Sequence, residues 1–235
     1  MKPEFILMLT YNDTTVKDAL NIFRECKEAP VKHWGFKDVG LPPDQIKALV
    51  SEMKAAGKTT YLEVVSLSEE DGLRGVEIAV DSGFDVLMGT VFFDSILEYL
   101  KGKPIKYYPF PGHIYSHPSI LDGTIEEIVA HARFLESKGV QGMDLLSYRY
   151  VGNAPLLLQE VVKATSVPIV SAGSIESYKR LAEVWHAGAW GFTIGSALFD
   201  KKFVPNGSFL ENTIAVCNWL DATDQSEIDK YIHHR

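Results

Sequence analysis

Val167-Pro168-Ile169-Val170-Ser171-Ala172-Gly173-Ser174-Ile175 runs from an apolar strand into a Gly-Ser turn, and Trp190-Gly191-Phe192-Thr193-Ile194-Gly195-Ser196-Ala197-Leu198-Phe199 does so again. Between them, near residues 176–187, lies a helical pattern. A strand–helix–strand unit sets two parallel strands side by side, so both turns open at neighbouring strand ends. There they offer small residues and backbone N–H groups to one spot. Glycine lets the backbone approach a ligand, and the first N–H groups of a helix lack an internal partner, so such a spot suits an anion.

The same unit recurs along the whole chain. Apolar strand-like runs are expected at 4–10, 31–37, 59–66, 85–90, 105–109, 142–147, 167–171 and 190–194. Helical patterns lie near 15–28, 43–56, 69–82, 93–101, 124–138, 154–165, 176–187 and 208–220. Local signals mark the boundaries. Pro42-Pro43 suits a helix start, Ser68 with Asp71 and Thr124 with Glu127 suit N-terminal caps, and Gly57, Gly83, Gly139 and Gly188 suit C-terminal ones. Eight unbroken βα units favour an α/β fold of one closed (β/α)8 TIM barrel over residues 1–220. The Gly-Ser turns then follow strands 7 and 8, where such barrels hold a phosphate. Residues 221–235 read as a polar C-terminal tail that adds little to the core, with His233-His234 as a frayed end.

Composition sets outer limits. The 235 residues are 46% hydrophobic and 23% charged, as in an ordinary globular protein, and no apolar run reaches the ~20 residues that span a bilayer. Phe5-Ile6-Leu7-Met8-Leu9 reads as a first strand and not a signal peptide. A net charge of −8 argues against a nucleic-acid partner, though local N–H groups and one or two cations still suffice for a phosphorylated ligand. Cys26 and Cys217 show no CxxC spacing and read as buried thiols of a cytoplasmic protein. Trp185 and Trp219 suit packing between helices, with an interface in a homo-oligomer as the other use.

The C-terminal strand ends should gather the reactive groups. Strand 2 brings His33, Lys37 and Asp38, strand 3 brings Glu63, and strand 6 brings Asp144, Tyr148 and Arg149. Lys37 closes its strand and suits three tasks: neutralising an enolate, protonating an intermediate or forming a Schiff base. Glu63 lies mid-strand among apolar residues, so an inward salt bridge to Lys37, a general-base role, or both are expected. Asp144 is a strand aspartate, which strands disfavour without a purpose, and is a second acid/base candidate. Tyr148 and Arg149 suit a second anionic group or a carbonyl oxygen, while Asp13, which strand 1 brings to the same face, also reads as a turn or a helix cap. The long strand-5 loop, Pro109 to Gly123, reads as an ordered arch and adds His113 and His117. These histidines lie on a proline-flanked loop, so helical metal-binding spacing does not apply. The expectation is no metal and no cofactor, with His113 in ligand contact or proton transfer.

Ala172-Gly173-Ser174 and Ile194-Gly195-Ser196 resemble the paired phosphate grip of the ribulose-phosphate-binding barrel superfamily. The resemblance covers the repeat and, most specifically, residues 167–199. It implies that Gly173 and Ser174 form one half of the grip and Gly195 and Ser196 the other. It reaches the superfamily and no single member. Strand 5 ends in Tyr107-Tyr108-Pro109, where the histidine-pathway isomerases carry an aspartate. Lys37 has Gly35 and Gly40 where the phosphosugar decarboxylases carry two acids. Three readings follow. The first is a metal-independent isomerase or epimerase moving a proton next to a carbonyl of a phosphosugar. The second is a phosphosugar lyase or aldolase with Lys37 as Schiff base. The third is a non-enzymatic phosphoryl-ligand sensor similar to glycerol-uptake antiterminators.

Overall fold

The computed structural model describes residues 1–233, the side chain of His233 excepted. Eight strands form one parallel sheet: β1 (Glu4–Met8), β2 (His33–Lys37), β3 (Thr59–Val64), β4 (Val86–Val91), β5 (Lys106–Phe110), β6 (Met143–Leu145), β7 (Ile169–Ser171) and β8 (Gly191–Ile194). Their order is β6-β7-β8-β1-β2-β3-β4-β5, so the first and last strands of the chain are neighbours and the sheet curls toward closure. Seven helices alternate with the strands: α1 (Ala19–Cys26), α2 (Pro43–Ala55), α3 (Glu69–Ser82), α4 (Asp94–Leu100), α5 (Ile125–Lys138), α6 (Ala154–Ala164) and α7 (Tyr178–His186). After β8 come a one-turn helix α8 (Ser196–Phe199), then α9 (Phe209–Ala222) and α10 (Gln225–His233).

The strands are apolar because both their faces are covered. Ile6, Met8, Tyr61, Val86, Met88, Tyr108 and Val170 fill the barrel interior. Their chain neighbours, among them Leu7, Leu62 and Leu87, pack outward beneath the helices. The period-2 alternation of a strand sorts the two sets. Between β5 and β6 a side chain completes the wall. The Gln141 backbone N–H donates to Tyr107 O at 3.2 Å, and Gln141 Oε1 accepts from the Tyr107 N–H at 2.9 Å.

Helix starts follow their caps. Thr124 and Glu127 form a complete capping box on α5, Ser68 Oγ accepts from the Asp71 N–H at the start of α3, and Pro43 sits in the first turn of α2.

Three expectations need correction. The first strand ends at Met8 instead of running to residue 10, and the first helix begins at Ala19, not at 15. Thr10–Tyr11 and Thr14–Thr15 instead pair as an antiparallel ribbon. Its two-residue corner, Asn12-Asp13, has positive φ at both positions (48° and 61°), as the tightest hairpin turns require. Strand 6 stops at Leu145, and Ser147–Arg149 form a 3-10 turn. Residues 225–233 are a helix and not a loose tail. Ile228 is fully buried, and Tyr231 packs on Trp219 at 5.9 Å between ring centres. The apolar spacing Ile228-Tyr231-Ile232 is a short helical stripe that the surrounding charges obscure. His234 and the His233 side chain, half of the frayed-end expectation each, lie outside the described residues.

Trp219 also stacks on Tyr178 and meets Trp185 edge-on, so both tryptophans pack between helices. The strand-5 loop is an antiparallel hairpin, His113–Tyr115 against Ile120–Asp122, rooted by buried Ile114 and Leu121. Among the described residues no helix is long and apolar enough to cross a membrane.

Candidate active site

A cleft of about 490 Å³ opens at the C-terminal ends of the strands. Its floor carries Lys37 and Glu63, its wall Asp13 and Arg149, and its far end the two Gly-Ser turns. Pockets of this size hold small metabolites.

Lys37 and Glu63 are register partners at the ends of β2 and β3, so their side chains rise from the same level of adjacent strands. Lys37 Nζ lies 3.3 Å from Glu63 Oε1 and 2.6 Å from Asp13 Oδ1. The same Asp13 oxygen receives Arg149 Nη2 at 2.7 Å. Three of these four residues are less than a tenth exposed; Arg149 is more open. Burial pushes the Lys37 ammonium down, but Glu63 and Asp13 outweigh it and hold the group above its ordinary value. Burial raises Asp13, and Lys37 and Arg149 outweigh that in turn, leaving it below the usual carboxylate range.

Asp144 is not in the cleft wall. It is fully buried beneath the floor, and neither of its oxygens has a hydrogen-bond partner. Burial pushes its carboxyl well above the usual range. The nearby Glu63 charge adds to this and Lys37 opposes it. Asp38, next to Lys37, turns outward and accepts the Val65 N–H at 3.2 Å. Burial raises it to about 6, against the Val65 bond.

At the far end, Gly173 has φ +108°, and a Cβ there would stand 3.0 Å from Arg149 Cγ. The residue thus serves both the left-handed turn and the passage of the Arg149 stem. Gly195 leads into α8; a Cβ on it would lie 2.4 Å from Thr10 Oγ1 and 2.8 Å from Thr10 O. Ser196 Oγ accepts the Asn12 N–H at 3.0 Å, which keeps its own proton free to donate. Gly173, Ser174, Gly195 and Ser196 therefore converge on one end of the cleft, with Ala197 behind them. Two acids rim that end. Glu176 is paired with Arg180 and Lys202, and Asp200 accepts the Tyr11 hydroxyl at 3.2 Å.

Three other sequence candidates stand elsewhere. Tyr148 points away from the cleft, its hydroxyl donating to Glu183 Oε2 at 2.8 Å. A 3-10 turn has three residues per turn, so Tyr148 and Arg149 cannot face the same way. His113 is exposed on its hairpin beside Tyr115 and does not line the cleft. The same hairpin sends Pro118 and Ser119 into the cleft instead. His33 lies four residues, about 13 Å, below Lys37. There it bonds the Tyr61 hydroxyl at 2.8 Å and faces Glu4 at 3.3 Å. Among the described residues no group of three or more His, Cys, Asp or Glu side chains is placed to hold a metal ion.

Asp13 is the member that sequence reasoning weighed too lightly. Its signal was the Asn12-Asp13 pair itself, since these residues tolerate a left-handed corner better than most.

No protein-family profile matches the chain, and no curated protein matches it. Solved structures similar in fold include a native KDPGal structure, 14% identical with a TM-score of 0.66, covering 93% of this chain and 94% of that one. Another is the orotidine 5'-phosphate decarboxylase of Pyrococcus horikoshii, 11% identical with a TM-score of 0.65, over 93% of this chain and all (100%) of that one. A third is the Amycolatopsis orientalis BexX/CysO complex, 20% identical with a TM-score of 0.62, over 98% and 91%. Likeness at these identities is likeness of fold: the chain is a TIM barrel.

Proposed function

We propose that the chain is an enzyme of the ribulose-phosphate-binding barrel type. It takes a small phosphorylated sugar or sugar-like metabolite and moves a proton next to its carbonyl, as an isomerase or epimerase does. The observation that carries this reading is that one cleft is lined by both Gly-Ser turns at one end and by the Lys37–Glu63 pair at the other.

In this reading the phosphate rests on the Gly173-Ser174 and Gly195-Ser196 turns, with Arg149 beside it. Glu63 removes the proton α to the carbonyl. The C–H pair becomes the new C=C bond, and the carbonyl π pair moves to oxygen. The Lys37 ammonium stabilises and protonates that oxygen. In an isomerisation Glu63 then returns its proton to the carbon that bore the carbonyl, using the C=C pair. The neighbouring C–O–H gives its proton to Lys37 and its O–H pair becomes the new C=O bond, so both side chains are restored. Burial holds the Asp144 carboxyl well above the usual range, and the carboxylates in contact with Lys37 are Asp13 and Glu63. The structures of similar fold named as a decarboxylase and as KDPGal support an enzyme, without favouring an isomerase over a lyase. The aldolase alternative has less support. A Schiff base needs a neutral amine, and Lys37 is held charged by two carboxylates.

The test is solvent-deuterium exchange followed by NMR across a panel of ketose and aldose phosphates. Wild-type protein should exchange an α-proton without breaking a C–C bond. Glu63→Gln should lose about 10²–10⁴-fold in that rate. It should keep thermal stabilisation by inorganic phosphate, while Gly173→Asp loses the stabilisation. Cleavage products would turn the assignment to a lyase. Stabilisation by phosphosugars with neither exchange nor cleavage would turn it to a sensor.

A further inference from the structure

We infer that Asp13 is the positioning residue of the cleft: one carboxylate oxygen fixes Lys37 against Glu63 and Arg149 beside the Gly173 turn. Its catalytic consequence rests on the proton-transfer reading above; its electrostatic consequence does not.

The local fold is built for this contact. The Thr10–Thr15 ribbon is locked onto the end of β2, because Thr15 Oγ1 donates to Lys37 O at 2.8 Å and accepts from the Lys37 N–H at 2.9 Å. The backbone bearing Lys37 and the corner bearing Asp13 are therefore one unit. Asp13 is held at φ +61°, a conformation that costs a non-glycine residue energy and persists where the surroundings over-determine it. From that corner its Oδ1 meets Lys37 Nζ at 2.6 Å and Arg149 Nη2 at 2.7 Å. Arg149 comes from the turn after β6, which is separated from β1 by β7 and β8 in the sheet. No backbone ladder sets its distance from Lys37, and Asp13 does.

The charges agree with the geometry. Five groups bear on Lys37: Glu63 from β3, Asp13 from the ribbon, Arg149 after β6, Asp144 from β6 beneath, and its chain neighbour Asp38. Asp13 is the carboxylate in direct hydrogen bond to the ammonium. Arg149 carries five N–H donors, so one bond to Asp13 leaves others for a ligand. Asp13 thus sets two cations at a constant spacing, one for the oxygen at the reacting carbon and one for the phosphate end.

The experiment is an NMR titration of 13Cε-labelled lysines, with Lys37 assigned by Lys37→Arg. In Asp13→Asn the Lys37 midpoint should fall by about one pH unit or more, because an opposite charge is withdrawn. In Arg149→Gln it should rise, because a like charge is withdrawn. A folded Asp13→Asn protein with an unchanged midpoint overturns the inference. If Asp13→Asn does not fold, an unchanged or lower midpoint in Arg149→Gln overturns it instead. The exchange assay then reads position. Asp13→Asn should lower kcat about 10–100-fold with KM within a few-fold, and Asp13→Glu should restore part of it. Wild-type exchange rates in a variant whose Lys37 midpoint has moved overturn the positioning role. Absence of exchange in the wild type defeats the proton-transfer reading and leaves the titration decisive for Asp13.

Discussion

Among the described residues, Asp144 is the one whose buried side-chain oxygens lack any partner. Its carboxyl sits above the ordinary value of 3.8, first through burial and then through Glu63. Between that value and the raised one, the folded state keeps a proton that the unfolded chain has lost. Stability therefore falls as pH rises, by about 1.4 kcal/mol per pH unit across the interval. Asp144→Asn cannot titrate. Its stability advantage over the wild type, measured by urea denaturation, should grow steadily from pH 4 upward. An advantage that does not change with pH would show that Asp144 is ionised in the fold. Single residues were legible by type more than by contact. Lys37, Glu63 and Asp144 stood out as charged groups on apolar strands, and the Lys37–Glu63 bridge follows from adjacent strand ends. Asp13, five residues beyond the end of β1 at Met8, needed the ribbon to bring it over Lys37. Tyr148 and Arg149 are chain neighbours, and only the 3-10 turn separates their directions.

At the scale of elements, hydrophobic period located eight strands and eight helices, because each strand is covered on both faces and each helix on one. Two of the three errors lie at strand exits, after β1 and β6. There the chain leaves its ladder, and local contacts with other exits decide its path. The seam between β5 and β6 belongs to this scale. Gln141 supplies with its side chain the acceptor that a neighbouring strand would supply with its backbone. Gln141→Ala should leave the Tyr107 N–H without that partner, at a cost of about 1–3 kcal/mol. Hydrogen exchange should quicken first at the Tyr107 amide. Unchanged protection there would mean that the seam is closed by other contacts.

The whole molecule draws a last layer over the barrel from α10, which packs on α7 and buries Ile228. Deleting residues 224–235 exposes the Trp219 face and removes one full aliphatic burial, worth about 1.5–3 kcal/mol. The shortened chain should keep its far-ultraviolet circular dichroism and melt several degrees lower. An unshifted Tm would mark the helix as dispensable. By itself the sequence determined the eightfold βα repeat and the place of the two Gly-Ser turns within it. Both are local matters of period, capping and backbone freedom. Tertiary structure alone decided which polar groups share the cleft. It set Asp13 between two cations, sank Asp144 beneath the floor and turned Tyr148 and His113 away. Such meetings depend on how strand exits bend toward one another across the barrel mouth, a distance that no spacing along the chain encodes.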